Sequence, residues 1–172
     1  MGTWGPNSED ERKMDAHHRS QLKYVMCIKW EDKMSNKEVY EKARSRPITI
    51  EFTKARWKMF GNILGGDRET PAFKHLKFYF EKEDGEKYNP GQERPSLISA
   101  VKKDMKQLNE HLEAFPNSIK HPLANIKDLM ELRNVALNIK DWEYNIQDKI
   151  VKLKIEKWME NNNNNKKEKK TK

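Results

Sequence analysis

The stretch Arg46–Phe80, RPITIEFTKARWKMFGNILGGDRETPAFKHLKFYF, constrains this chain more than any other. Its start and stop signals predict two helices joined by a short turn. Pro47 and Thr49 precede a helical pattern in which Phe52, Ala55, Met59 and Ile63 share one face. Trp57, Phe60 and Leu64 widen that face at the i, i+3, i+7 spacing of a buried stripe. Gly65-Gly66 is expected to end the helix, because glycine accepts the left-handed conformation of a C-cap. Thr70-Pro71 then starts a second helix, a capping hydroxyl followed by proline at the first helical position. That helix carries Phe73, Leu76, Tyr79 and Phe80, while Lys54, Arg56 and Lys58 flank the tryptophan on the first.

The flanking sequence reads as helix as well. Met14, His18, Leu22, Val25 and Met26 fall on one side of a helix expected over 12–28. Ser35-Asn36-Lys37-Glu38 has the serine and glutamate of a capping box, which predicts a helix over 36–43 before Pro47. The central pair is expected at 49–64 and 71–81. The run from Glu81 to Pro95 is charged and holds Gly85, Asn89-Pro90-Gly91 and Pro95, so it reads as an exposed loop. Leu97, Val101, Met105, Leu108 and Leu112 predict an amphipathic helix over 96–112. Beyond Pro116 and Pro122, a helix or a pair of helices is expected over 124–158 from Ile126, Leu129, Met130, Leu137, Trp142, Ile146, Ile150 and Leu153. No stretch alternates with period two, so the expected class is all-α. The expected divisions are a loop-like N-terminus over 1–11, a helical region over 12–112, C-terminal helices over 113–160 and a basic tail over 161–172.

Composition limits what this fold can be. Hydrophobic residues make up 35% and charged residues 36% of the 172, against roughly 45–50% and 25% in an average domain. The result is expected to be a small, irregular helical domain with a thin core. Cys27 is the only cysteine, which excludes an internal disulfide; among Tyr24, Val25, Met26 and Ile28 it reads as a buried, inert thiol. No apolar run approaches the roughly 20 residues of a membrane helix, and the N-terminus lacks a signal-peptide core. The expectation is an intracellular chain, cytoplasmic or nuclear, with no membrane partner. The net charge is +8, and Asn161–Lys172, with five lysines against one glutamate, carries half of it. That asparagine–lysine run reads as disordered.

Chemistry-bearing motifs are sparse. Gly65-Gly66 lacks the flanking pattern of a phosphate loop, and no serine lies in a nucleophile elbow. His17 and His18 point about 100° apart on a helix, which suits neither for a shared metal. Two-metal nucleotidyl transfer needs carboxylates that hold ions about 4 Å apart; adjacent aspartates and a Tyr-x-Asp-Asp are both missing. No catalytic residue, metal or cofactor is expected.

The order of landmarks resembles the segment beyond the thumb of reverse transcriptases encoded by non-LTR retrotransposons, the endonuclease–reverse transcriptase polyproteins. Thr3-Trp4 matches part of a Glu-x-Trp, and Met14-Asp15-Ala16-His17-His18-Arg19 resembles an Asp-Ala-Phe-His-Arg. Met26-Cys27-Ile28-Lys29-Trp30 resembles Leu-Gly-Ile-(Arg/Lys)-Trp, followed by Asp32–Val39. The best match is Arg46-Pro47-Ile48 with Arg56-Trp57-Lys58-Met59-Phe60-Gly61-Asn62-Ile63-Leu64-Gly65, against Arg-Trp-x-x-(Leu/Phe)-Gly-His-(Val/Ile)-Leu-Arg. Thr70-Pro71-Ala72, Arg94-Pro95-Ser96-Leu97 and Lys103-Asp104-Met105-Lys106 resemble one branch, and Leu129–Trp142 resembles the closing Leu-x-x-Leu-Ala-x-(Asp/Asn)-(Arg/Lys)-x-x-Trp. The likeness spans roughly Thr3 to Ile155. Asn62 and Gly65 depart from the pattern, and the palm, fingers and endonuclease lie upstream in the family.

The resemblance implies a catalytically incomplete fragment of an RNA-directed DNA polymerase, at most a module that grips nucleic acid without reading sequence. Arg46, Lys54, Arg56, Lys58 and Arg68 would meet phosphates of single-stranded RNA or DNA and Trp57 would stack on a base. The competing reading puts Trp57 in the core and leaves the cations to solvate a helix face. Two alternatives to nucleic-acid binding stand beside it: a helical module docking a protein partner at an exposed apolar seam, and a transposon remnant with no present role.

Overall fold

Short polar side chains set several of the helix starts in the computed structural model, which describes residues 8–81, 97–111, 123 and 125–168. Among the described residues eight α-helices run in the order α1 Ser8–Val25, α2 Asn36–Lys42, α3 Ile48–Gly65, α4 Pro71–Glu81, α5 Leu97–His111, α6 Ile126–Ala136, α7 Ile139–Trp142 and α8 Asp148–Glu168. A 3-10 turn covers Trp30–Asp32 and a π-helical turn covers Glu143–Gln147. No strand occurs among the described residues, and the class is all-α. The Ser35–Glu38 capping box forms, with Ser35 N donating to Glu38 Oε2 at 2.7 Å. Thr70 caps α4, its Oγ1 accepting from Phe73 N at 3.4 Å. Asn125 caps α6, its Oδ1 accepting from Lys127 N and Asp128 N.

The described residues divide into two units that interleave along the chain, one holding 54–150, the other holding 8–53 with 151–168. Helices α3 and α8 contribute to both. In the second unit α1 and α2 pack together, and Val39, Tyr40, Ile50, Val151 and Leu153 are buried. The Asp15 carboxylate of α1 caps α3, accepting from Thr49 N at 3.2 Å and from Thr49 Oγ1 at 2.8 Å. Tyr40 sits between His18 and the edge-on ring of Trp158; burial, then the Asp15 charge, pushes its phenol up. In the first unit α6 packs on α4 and α7, and its core is the aromatic cluster described below.

Several expectations are corrected. α1 begins at Ser8, not Arg12, because Glu9, Asp10 and Glu11 fill its first turn, where the helix dipole favours acids. On α3 the buried stripe is Ile50, Thr53, Trp57, Phe60 and Leu64, while Phe52 and Ala55 face out. The larger rings at 57 and 60 set the rotation, because they gain most from burial. No glycine among the described residues takes a positive φ, so Gly65-Gly66 does not end α3 by the left-handed route. Gly65 instead admits a close approach: a Cβ there would lie 2.6 Å from the Ala136 carbonyl oxygen. Of the two alternatives expected over 124–158, the broken one is found: the helix breaks at Leu137–Asn138, where Asn138 stands at the N-cap position of α7 and its Nδ2 donates to Asp141 Oδ2 at 2.6 Å. α8 continues past Glu160 to Glu168; once nucleated, a helix extends at little cost through residues that do not break it. The expected 81–95 loop (beyond Glu81), Trp4, Pro116, Pro122 and the last four residues lie outside the described residues.

Cys27 is exposed rather than buried. Its φ of 53° places it at the left-handed position that ends α1. Ile28 N donates to Lys23 O at 2.9 Å and Cys27 N to Tyr24 O at 3.1 Å, the paired bonds of a Schellman motif. Arg44, φ 48°, ends α2 in the same way, with Ser45 N on Tyr40 O and Arg44 N on Glu41 O. A side chain in this conformation costs about 1 kcal/mol relative to glycine. Cys27→Gly is therefore expected to raise stability by about 0.5–1 kcal/mol, read as a higher midpoint in urea unfolding; an unchanged or lower midpoint would contradict the cap.

Candidate nucleic-acid interface

The residues expected to meet nucleic acid do not share one surface. Trp57 is fully buried, with 0% of its surface exposed. A base has no face of Trp57 to stack on. Its Nε1 donates to Asp104 Oδ2 at 3.0 Å, and Arg56 Nη2 donates to the same oxygen at 2.8 Å. Arg56 keeps only 9% of its side chain exposed, so its charge is spent within the protein. Both assignments are corrected: the pair is part of the core, and the ion pair brings α5 onto α3.

The node extends further. Trp142 lies over α3, its Nε1 donating to the Trp57 carbonyl at 3.1 Å and its ring 5.8 Å from that of Trp57. Phe60 meets Trp57 edge-on at 5.8 Å and Trp142 at 6.1 Å. Gly61 makes this fit possible. A Cβ on Gly61 would sit 2.2 Å from Trp142 Nε1, inside the indole. Arg133 closes the other end of α3, with Nη1 donating to the Leu64 carbonyl and its guanidinium 4.7 Å from the Phe73 ring centroid. A cation at a helix C-terminus answers both the unpaired carbonyl and the dipole.

What remains of the expected site on this unit is Lys54, Lys58 and Arg68. All three are exposed and form no ion pair among the described residues. Lys54 and Lys58 stand one turn apart on α3, four residues being the spacing of neighbours on a helix face. They can approach successive phosphates but carry no sequence-reading geometry of their own. Arg46 is exposed as well, but belongs to the other unit. Among the described residues no three His, Cys, Asp or Glu side chains are grouped to hold a metal ion. No described helix is long and apolar enough to cross a membrane.

The i, i+3, i+7 count around Trp57 holds the signal that would have buried it, because residue 57 lies at the middle of the stripe 50, 53, 57, 60, 64. The Asp104 contact has no such local signal, as the partner is 47 residues away.

Gly61→Ala is expected to destabilise the protein by about 2 kcal/mol or more, although alanine is the better helix former by about 1 kcal/mol. The second substitution Trp142→Leu should recover part of that loss, measured by denaturant unfolding of the single and double variants. Additive losses would disprove the proposed clash. Compared with protein-family models, curated proteins and solved structures, the chain gives no significant match.

Proposed function

We propose that this chain is a non-catalytic helical module descended from the segment beyond the thumb of a non-LTR retrotransposon reverse transcriptase, and that it binds single-stranded nucleic acid weakly and without sequence preference. The observation that supports descent is convergence. Arg56, Trp57 and Gly61 from one landmark, Asp104 from a second and Trp142 from a third meet in one buried node. Two further landmarks fall where the backbone is most demanding. Asp15 of the Asp-Ala…His-Arg segment caps α3, and Cys27 stands where the family pattern has glycine, at φ 53°. Positions tied to a shared fold would coincide with such constraints; scattered chance matches have no reason to.

Binding is assigned to Lys54, Lys58 and Arg68, with the lysines of 161–172 as a separate source of charge. Reversing all three to glutamate should weaken binding to a labelled oligonucleotide and flatten its salt dependence by roughly 0.7 in log–log slope per lost phosphate contact. Arg56 is left intact, since its reversal would set two carboxylates against each other in the core. Deleting 161–172 should lower affinity only in part. If that deletion alone abolishes binding and the reversals change nothing, α3 is scaffold only.

The polymerase carboxylates of the resembled enzymes belong to the palm, which this stretch does not resemble. The purified chain is expected to give no primer extension on an RNA template with magnesium; extension above a mock preparation would refute this.

A second reading has its own observation. Leu137, Ile139 and Tyr144 are large apolar side chains exposed close together in sequence, as a protein-docking seam would be. High salt separates the two, since it weakens phosphate contacts steeply and leaves apolar docking nearly unchanged.

A further inference from the structure

We propose that the outer face of α4 and α5, centred on Tyr79 with Lys102, Lys103 and Lys106, is a second contact site for single-stranded nucleic acid, one that stacks on a base as well as holding phosphates. This rests on the nucleic-acid reading above and locates in a different place the aromatic contact that Trp57 cannot make.

Charge segregation is the first argument. α5 carries two carboxylates, Asp104 and Glu110, and Asp104, the one beside Lys102, Lys103 and Lys106 in sequence, is turned inwards onto Arg56 and Trp57. The outer side of α5 therefore presents Lys102, Lys103 and Lys106 with no carboxylate partner among the described residues. On α4 the balance differs. Lys74 pairs with Glu69 at 2.6 Å and Lys77 with Glu81 at 3.2 Å, so among the described residues the unpaired lysines of this face lie on α5.

The second argument is the aromatic ring beside that charge. Tyr79 is 45% exposed, and its ring meets the buried Phe80 edge-on at 5.3 Å and 76°. Phe80 braces it from within the core. Lys102 Nζ lies 5.6 Å from the Tyr79 ring centroid and 5.2 Å from that of Phe80, within the range of a cation–π contact. An ammonium group is thus held next to a braced, half-exposed ring, with Lys106 one turn further along the same helix. A nucleotide supplies what this arrangement lacks, a flat ring for Tyr79 and a phosphate for the lysines. An acidic peptide would answer the charge alone.

The test uses the full chain, with oligo(dT) and an abasic oligomer of equal length as probes, followed by fluorescence anisotropy across a salt series. Tyr79→Ala should weaken oligo(dT) binding roughly 5- to 150-fold, the usual range for one lost stacking contact, and leave abasic binding unchanged. Tyr79→Phe should bind like the unmodified chain. Lys103→Glu with Lys106→Glu should weaken both probes and lower the slope by about 1.4. Circular dichroism and a thermal melt of each variant establish that it is folded. Equal effects of Tyr79→Ala on the two probes, or none on either, would overturn the stacking site. If only the α3 reversals act, nucleic-acid binding stands and this site fails. If the unmodified chain binds neither probe, the nucleic-acid reading itself fails.

Discussion

One oxygen, Oδ2 of Asp104, fixes how α3 and α5 of the larger unit meet, because it accepts from both Arg56 and Trp57 in a place almost without solvent. A buried ion pair is a poor source of net stability. The cost of removing two charges from water cancels much of their attraction, and an apolar pair of similar volume often serves as well or better. What the arrangement does offer is geometry. Two donors on adjacent residues of α3 must reach one acceptor, and this fixes both the rotation of α3 and the register of α5 against it. A leucine contact would tolerate a slip of several degrees; a shared hydrogen-bond acceptor tolerates much less.

The aromatic packing depends on that rotation. With Trp57 turned inwards, Gly61 one turn later faces Trp142, and the indole occupies the space where any side chain would be. The Trp142 hydrogen bond to the Trp57 carbonyl then ties the start of the π-helical turn to the same helix. Arg133 and Gly65 repeat the pattern at the end of α3, a cation on the Leu64 carbonyl and a missing side chain where Ala136 approaches. The thin apolar composition is thus offset locally by polar contacts with strict geometry, in a chain whose hydrophobic share is only 35%.

Most helices were legible because their signals are local. Ser35-x-x-Glu38 and Thr70-Pro71 lie within one turn of the backbone groups they satisfy, so the sequence carries the whole interaction. The corrected features are those that depend on distant residues. α3 does end at Gly65, as its sequence suggests, but without the left-handed turn, and the close approach of Ala136 to it could not be read locally; Asn138 looks like mid-helix until α6 is known to end against α3. Cys27 misled for a different reason: its apolar neighbours suggested burial, whereas the turn that ends α1 exposes it and imposes a left-handed backbone. The candidate site was half legible. Lys54, Lys58 and Arg68 are exposed as a basic flank should be, but Arg56 and Trp57 were drawn inwards by a carboxylate 47 or 48 residues away.

That inward turn also decides where binding chemistry can reside. A basic residue next to tryptophan in sequence reads as a cation beside a stacking ring, yet neighbours on a helix diverge by about 100°, and here both are consumed by one acceptor. The same acceptor changes the surface elsewhere. By taking Asp104 out of the exposed face of α5, the core contact removes the charge that would otherwise offset its lysines. Burial of a polar triad and exposure of lysines with no carboxylate partner among the described residues are two consequences of a single side chain's orientation. Any weakening of the Arg56–Asp104 pair would therefore act twice, loosening α3 in the core and returning negative charge to the surface where Lys102, Lys103 and Lys106 stand.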